Sequence, residues 1–190
     1  INEFLPYQLM EIDGCEADDI IATLCHQTQE FGQHEDIMII SADKDFIQLH
    51  KYGNIKQYSS MSKQYVTEAN PERYIFDHIL KGDSSDGIPN ILSGDNTFTD
   101  GIRQASMTKI KMDYFWENRD KLQEVMTEEQ YRNYKRNLLM VSLDEIPSDI
   151  QKRIVDNYDA VNKKAPSKMM LLNYLTSKHC RLLVECIDEF

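Results

Sequence analysis

At 190 residues the chain is long enough for one large domain or one and a half small ones. Hydrophobic residues make up 41%, enough for a core, and no apolar run approaches the roughly 20 residues of a membrane-spanning helix. The net charge of −11 argues against a broad phosphate-gripping surface, so any nucleic-acid contact is expected from a local patch or from protein outside this sequence. The four cysteines, Cys15, Cys25, Cys180 and Cys186, lack C-x-x-C spacing, and no charged, apolar and cleavage-site succession opens the sequence. Reduced thiols and a cytoplasmic setting are therefore expected.

In chain order, Tyr7 to Ile12 reads as a strand and Asp13-Gly14 as a turn. Glu16 to about Phe31 follows as an amphipathic helix, with Ile20, Ile21, Leu24 and Cys25 at helical spacing and Gly32 as its stop. Its first turn holds Glu16, Asp18 and Asp19, three acids where a cap and a helix dipole need one or two. Ile37-Met38-Ile39-Ile40 reads as a strand buried on both faces, as in a parallel sheet. It runs out through Ser41-Ala42 into Asp43-Lys44-Asp45, the strand end where open α/β sheets place ligands. Asp43 as a helix cap with Asp45 solvated, and the two carboxylates as ligands of a hard divalent cation, are both open readings of this turn.

A helix from about Asp45 to His50, a strand Asn54 to Tyr58 and a hairpin partner Lys63 to Thr67 complete an α/β succession. Right-handed crossovers would bring the strand ends before Cys15 and Ser41 to one edge. Pro71 opens a helix to Leu80, and a third acidic cluster follows in Gly82-Asp83-Ser84-Ser85-Asp86-Gly87-Ile88-Pro89. Residues 90–106 are irregular and polar. Helices are then expected near Lys109–Trp116, Arg119–Met126, Glu128–Met140, Ser148–Asn162 and Ser167–Thr176, with a last one up to Ile187. Thr127 and Ser148 each precede a glutamine by three residues, the capping-box spacing. Tyr114, Phe115 and Trp116 are read as core of the helical part in preference to base-stacking groups, and the nine methionines as core filler. The basic residues between Lys109 and Arg136 alternate with acids, so an ordinary solvated face and a duplex-facing stripe are equal readings. The histidines show no zinc spacing.

Three acidic clusters on one edge would repel strongly unless cations lay between them. Two divalent ions about 4 Å apart would neutralise them and clamp a phosphodiester undergoing hydrolysis.

The ordered set Glu16-Ala17-Asp18-Asp19, Ala42-Asp43-Lys44-Asp45 and Gly82-Asp83-Ser84-Ser85-Asp86-Gly87-Ile88-Pro89 resembles three motifs of the 5′-nuclease superfamily. That superfamily covers flap endonucleases, the 5′-3′ exonuclease domain of bacterial DNA polymerase I, and phage 5′-nucleases such as the ribonucleases H of T-even-type bacteriophages. The likeness runs through Glu128–Asn137 and Leu138–Pro147 to Asp188-Glu189-Phe190. It implies an α/β, PIN-like Rossmannoid sheet followed by an α-helical region. Residues 1–80 would be the C-terminal half of the nuclease core. Residues 81–190 would carry a degenerate helical-hairpin DNA-binding segment, because 90–106 lack the family's glycine pattern. The family's fold begins earlier than this sequence, so the sheet is expected to be incomplete and to expose apolar surface.

The resemblance further implies Mg²⁺, as two ions that Mn²⁺ can replace. Glu16 and Asp18 would serve the first ion with Asp19 nearby, Asp43 would lie near the first or between the two, and Asp45, Asp83 and Asp86 would serve the second. Asp18, Asp43 and Asp45 would form the catalytic set, Lys44 would point to solvent, and Ser106, Thr108 and Lys109 would contact nucleic-acid phosphate. The implied substrates are RNA·DNA hybrid and 5′-flap or nicked duplex DNA, met in removing RNA primers from lagging-strand fragments. Implied protein partners are a separately encoded N-terminal nuclease fragment and a single-strand-binding protein or sliding clamp. Two alternatives remain: a non-catalytic half or nucleic-acid-binding remnant that needs a second chain, and a phosphatase with Asp43 as nucleophile, against which the Glu16 and Asp83 clusters speak.

Overall fold

The computed structural model describes residues 4–5, 7–30, 35–99, 101–160 and 167–189. Helix α1 (Ala17–Glu30) leads into strand β1 (Ile37–Ile40), and a 3₁₀ helix, Asp45–Lys51, carries the chain to β2 (Ile55–Ser59). Strand β2 pairs parallel with β1, Ile37 opposite Ile55, and antiparallel with β3 (Gln64–Val66) in a sheet of order β1-β2-β3. Helices α2 (Pro71–Lys81), α3 (Lys109–Glu117), α4 (Leu122–Val125), α5 (Glu128–Val141), α6 (Ser148–Ala160), α7 (Lys168–Ser177) and α8 (Arg181–Glu185) follow. No helix among the described residues is long and apolar enough to cross a membrane.

Two apolar clusters hold these elements. Ala22 and Cys25 of α1, Ile39, Ile55, and Phe46 and Leu49 of the 3₁₀ helix close on Leu143 and Ile146. Phe76 and Leu80 of α2 close on Ile91, Met112, Phe115, Leu122 and Met126. Asn70 starts α2 by accepting from the Arg73 N–H, with Pro71 in the first turn, where its missing N–H costs nothing. Thr127 and Gln130 form the full reciprocal capping box of α5.

Helix α5 is the brace between the sheet part and the loops after α2. The buried Asn137 amide donates to the carbonyls of Ile79 (2.8 Å) and Pro89 (2.9 Å), and that of Asn133 to Ile91 and Ser93 (3.1 Å each). From the other side, the buried Gln48 amide donates to the Val141 carbonyl, and its oxygen accepts from the Leu143 N–H at 2.8 Å. These bonds cross residue 80, so the sheet part and the helical part share their buried polar contacts.

Several expectations are corrected. Tyr7–Ile12 forms no strand. Apolar alternation does not supply a pairing partner, and the Gln8 amide donates instead to the Tyr158 carbonyl. Strand β1 is not covered on both faces: Ile39 is buried, whereas Met38 and Ile40 are 44% and 70% exposed. The segment after Asp45 is 3₁₀ and not α, which lets four successive residues, Phe46 to Leu49, be buried. Arg119–Met126 divides into a 3₁₀ turn and α4. Ser148 lies inside α6, and Gln151 donates to the Ile146 carbonyl, so the second capping box does not form. Met112 and Met126 are core, but Met38, Met61, Met140, Met169 and Met170 are exposed. Phe115 is buried and Trp116 packs beside it, held between Arg73 and Arg119, while Tyr114 is half-exposed. The expected ends near Phe31-Gly32 and Asn162 lie outside the described residues.

Candidate metal centre

Three chain turns deliver the acids. At the start of α1, the Glu16 N–H donates to an Asp19 carboxylate oxygen at 2.9 Å, which fixes the first turn and leaves Asp18 half-buried beside it. At the end of β1, the Ser41 hydroxyl accepts from the Asp43 N–H (3.1 Å), and the Asp43 carboxylate accepts from the Asp45 N–H (3.0 Å). After α2, the Asp83 carboxylate accepts from both the N–H and the hydroxyl of Ser85. Each turn is a short-range polar device that fixes its acids where a helix or strand begins or ends.

Carboxylate oxygens of Asp18, Asp43 and Asp45 lie within 4.8 Å of one another. Glu16, Asp18, Asp19, Asp45, Asp83 and Asp86 line one cleft of about 160 Å³ together with His78, and Leu139, Met140 and Glu145 contribute to its wall. All seven acids singled out in the sequence therefore converge. Lys44 is exposed, in keeping with a solvated lysine.

The charges act on one another. Burial, and then the charges of Asp43, Asp45, Glu16 and Asp19, push the Asp18 carboxyl up to about 6. Burial also raises Asp45, with further upward pushes from Asp43, Asp83 and Asp86 that His78 partly opposes. Asp45 thus feels both the Asp43 turn and the Asp83 turn. The Ser85 hydroxyl holds Asp83 below the usual carboxylate range. Burial, and then the charges of Asp45, Asp43, Glu68 and Asp83, raise the Tyr74 phenol, one turn before His78 on α2.

An all-oxygen donor set, crowded enough to retain a proton, fits a hard divalent cation. Such an ion takes carboxylates and water and would relieve the repulsion recorded at Asp18. Asp18, Asp43 and Asp45 are the side chains placed to hold it.

Ser106, Thr108 and Lys109 do not line this cleft. Ser106 is exposed, the Thr108 hydroxyl caps α3 by accepting from the Lys111 N–H, and Lys109 pairs with Asp113 at 2.8 Å. The basic residues nearby are also engaged: Arg132 and Arg136 with Asp95, and Lys135 over the Tyr131 ring.

Sequence reasoning missed three features. His78 lines the cleft, with its Nε2 3.4 Å from Asp83, and no zinc-like spacing flags it. Gln57 reaches the Asp43 turn from β2. Asn133 and Asn137 anchor the loop after Asp86, and their signal is two amides four residues apart on a helix face that is otherwise turned inward.

The family described as "T4 RNase H, C terminal" matches residues 69–190, and "5′-3′ exonuclease, N-terminal resolvase-like domain" matches residues 1–75. Over 195 aligned residues the chain is 35% identical to the ribonuclease H of Enterobacteria phage T4, covering 100% of this chain and 63% of that protein. It is 37% identical over 90 residues to DNA polymerase I of Rhizobium leguminosarum, which is 43% of this chain and 9% of the polymerase. In fold it is similar to a mutant of the T5 5′-exonuclease: TM-score 0.56 and 18% identity, over 79% of this chain and 68% of that one.

Proposed function

Because the chain belongs to the family described as T4 RNase H, C terminal, and its first 75 residues match the 5′-3′ exonuclease N-terminal resolvase-like domain, we propose that it carries the metal-binding centre of a phage-type 5′-nuclease with RNase H and flap-cleaving activity. The observation that carries this reading is the approach of the Asp18, Asp43 and Asp45 oxygens within 4.8 Å. Asp18 and Asp43, with Glu16 beside them and Asp45 in reach, would hold one Mg²⁺, and Asp45 with Asp83 and Asp86 a second, with Mn²⁺ able to replace either. Ions held there would supply Lewis acidity at the scissile phosphate and a lowered pKa for the attacking water. The chain's own share is to present acceptor-only oxygens, to keep the centre half-buried, and to hold the three turns at fixed spacing.

The substrates proposed are RNA·DNA hybrid and 5′-flap or nicked duplex DNA, as in removal of RNA primers from lagging-strand fragments in a host cytoplasm. With a net charge of −11, contact with the phosphate backbone would be local. A single-strand-binding protein, a sliding clamp or a separate N-terminal nuclease fragment would be the protein partners.

The test is cleavage of a 5′-flap duplex and an RNA·DNA hybrid with Mg²⁺ across pH. Because Asp18 titrates near 6, the ion must displace a proton below that pH. The rate at limiting Mg²⁺ should therefore be flat above pH 7 and fall by up to about tenfold per unit below pH 6. Cleavage that needs no divalent ion, or that does not change between pH 7.5 and 5, contradicts the reading.

A further inference from the structure

Gln57 stands at the centre of β2, opposite Ile39 of β1, on the inward face that it shares with Ile55 and Ser59. It is 1% exposed. Its amide nitrogen donates to two carbonyls, Ser41 at 2.9 Å and Asp43 at 2.5 Å, where β1 turns out of the sheet. The last bond from the strand to β2 is the Ser41 N–H to the Tyr58 carbonyl, 3.1 Å. Beyond it, the Gln57 amide ties the acidic turn back to β2. Asp43 is thereby held at every polar group: its N–H by Ser41, its carbonyl by Gln57, its carboxylate by the Asp45 N–H.

The amide is itself oriented. Carbonyl oxygens only accept, so the end of Gln57 facing Ser41 and Asp43 is the NH₂ group. Its oxygen then faces His50, whose Nε2 lies 3.0 Å away and must carry the proton as donor. His50 belongs to the 3₁₀ helix that begins at Asp45. A closed path therefore runs from the Asp43 carbonyl through Gln57 and His50 to the helix that bears Asp45.

We propose that Gln57, oriented by His50, is a positioning residue that sets the Asp43 and Asp45 carboxylates opposite Asp18 and thereby the affinity of the centre for a divalent cation. This rests on the metal-binding reading above. A leucine of similar size would fill the same inward position between Ile55 and Ser59, so packing does not require an amide there. The two turn carbonyls do.

The experiment is a Mn²⁺ titration of the full chain, with free ion read by electron paramagnetic resonance and thermal unfolding of each metal-free protein recorded alongside. Gln57→Leu should weaken Mn²⁺ binding by about 10- to 100-fold, the range for residues that orient metal ligands, and His50→Leu by about threefold to tenfold. Ser59→Ala removes another buried polar group of β2, the acceptor of the Ser62 N–H, and should bind Mn²⁺ like the wild type. Folded Gln57→Leu with wild-type affinity overturns the proposal, as does Ser59→Ala weakening binding equally, which would mark general loosening of the strand. Should Gln57→Leu fail to fold, unchanged affinity in His50→Leu overturns it in the same way. Wild-type protein that binds no Mn²⁺ fails the metal reading itself, a result distinct from these.

Discussion

Asp18→Asn is expected to make the metal-free protein more stable at neutral pH while removing its affinity for divalent cations. The Asp18 carboxyl is held at about 6 against an ordinary 3.8, by burial first and then by the charges of Asp43, Asp45, Glu16 and Asp19. A raised acid is one whose charge the fold disfavours. Between about pH 4 and 6 the folded chain keeps a proton that the unfolded chain has lost, so stability declines as pH rises through that window and stays lower above it. Asparagine carries no charge to disfavour. The side chain is partly solvated, so the full shift overstates the gain; about 1 kcal/mol is reasonable, or about 3 °C in Tm for a chain of this size. The cost is functional: a carboxylate whose oxygen lies within 4.8 Å of those of Asp43 and Asp45 becomes an amide, and cation affinity should fall at least about 100-fold. Melting curves from pH 4 to 8 without metal, paired with a Mn²⁺ titration, check both halves. A lower Tm for Asp18→Asn at pH 7.5, or retained affinity, contradicts the account.

Gly82→Ala should be the most damaging single substitution near the cleft. Gly82 ends α2 at φ +66° and ψ −174°, a conformation that residues with a side chain scarcely adopt. A Cβ there would run into the carbonyl oxygens of Ile88 and Pro89. Neither can retreat. The Pro89 carbonyl is held by Asn137 and Arg136 at 2.9 Å each, and the Ile88 N–H is bonded to the Asp83 carbonyl at 2.6 Å. Backbone strain and collision together should cost about 3 kcal/mol, a Tm lower by roughly 10 °C. Where some protein still folds, Asp83 should be displaced from the cleft, and the Asp45 carboxyl would lose one of the charges that raise it. A Tm shift smaller than about 2 °C would show that the loop yields easily and that α5 does not brace it.

The features legible in the sequence are those written in local chemistry. Pro71 after Asn70, the Thr127–Gln130 pair and the apolar spacing of α1 announce helix starts and faces that the structure reproduces. The acidic turns are legible too, because Ser41, Asp43 and Ser85 make their hydrogen bonds within two residues. What the sequence conceals depends on partners distant in the chain. Gln57, Asn133 and Asn137 look like interruptions of apolar faces until their carbonyl partners, 14 to 58 residues away, come into place. The apolar run of β1 suggests cover on both faces, yet Met38 and Ile40 are exposed, since residue type cannot say which neighbour a strand will have. Ser148 and Gln151 have capping-box spacing like Thr127 and Gln130, but Ser148 is already the first residue of α6, and the Gln151 NH₂ donates to the Ile146 carbonyl. His78 carries no local signal at all; α2 alone brings it to Asp83.

The most direct measurement is anomalous diffraction from crystals of the chain soaked in Mn²⁺ at neutral pH. The account predicts an ion within coordinating distance, about 2.0–2.6 Å, of carboxylate oxygens of Asp18, Asp43 and Asp45. Manganese bound elsewhere on the chain, with none in reach of these three aspartates, would contradict it.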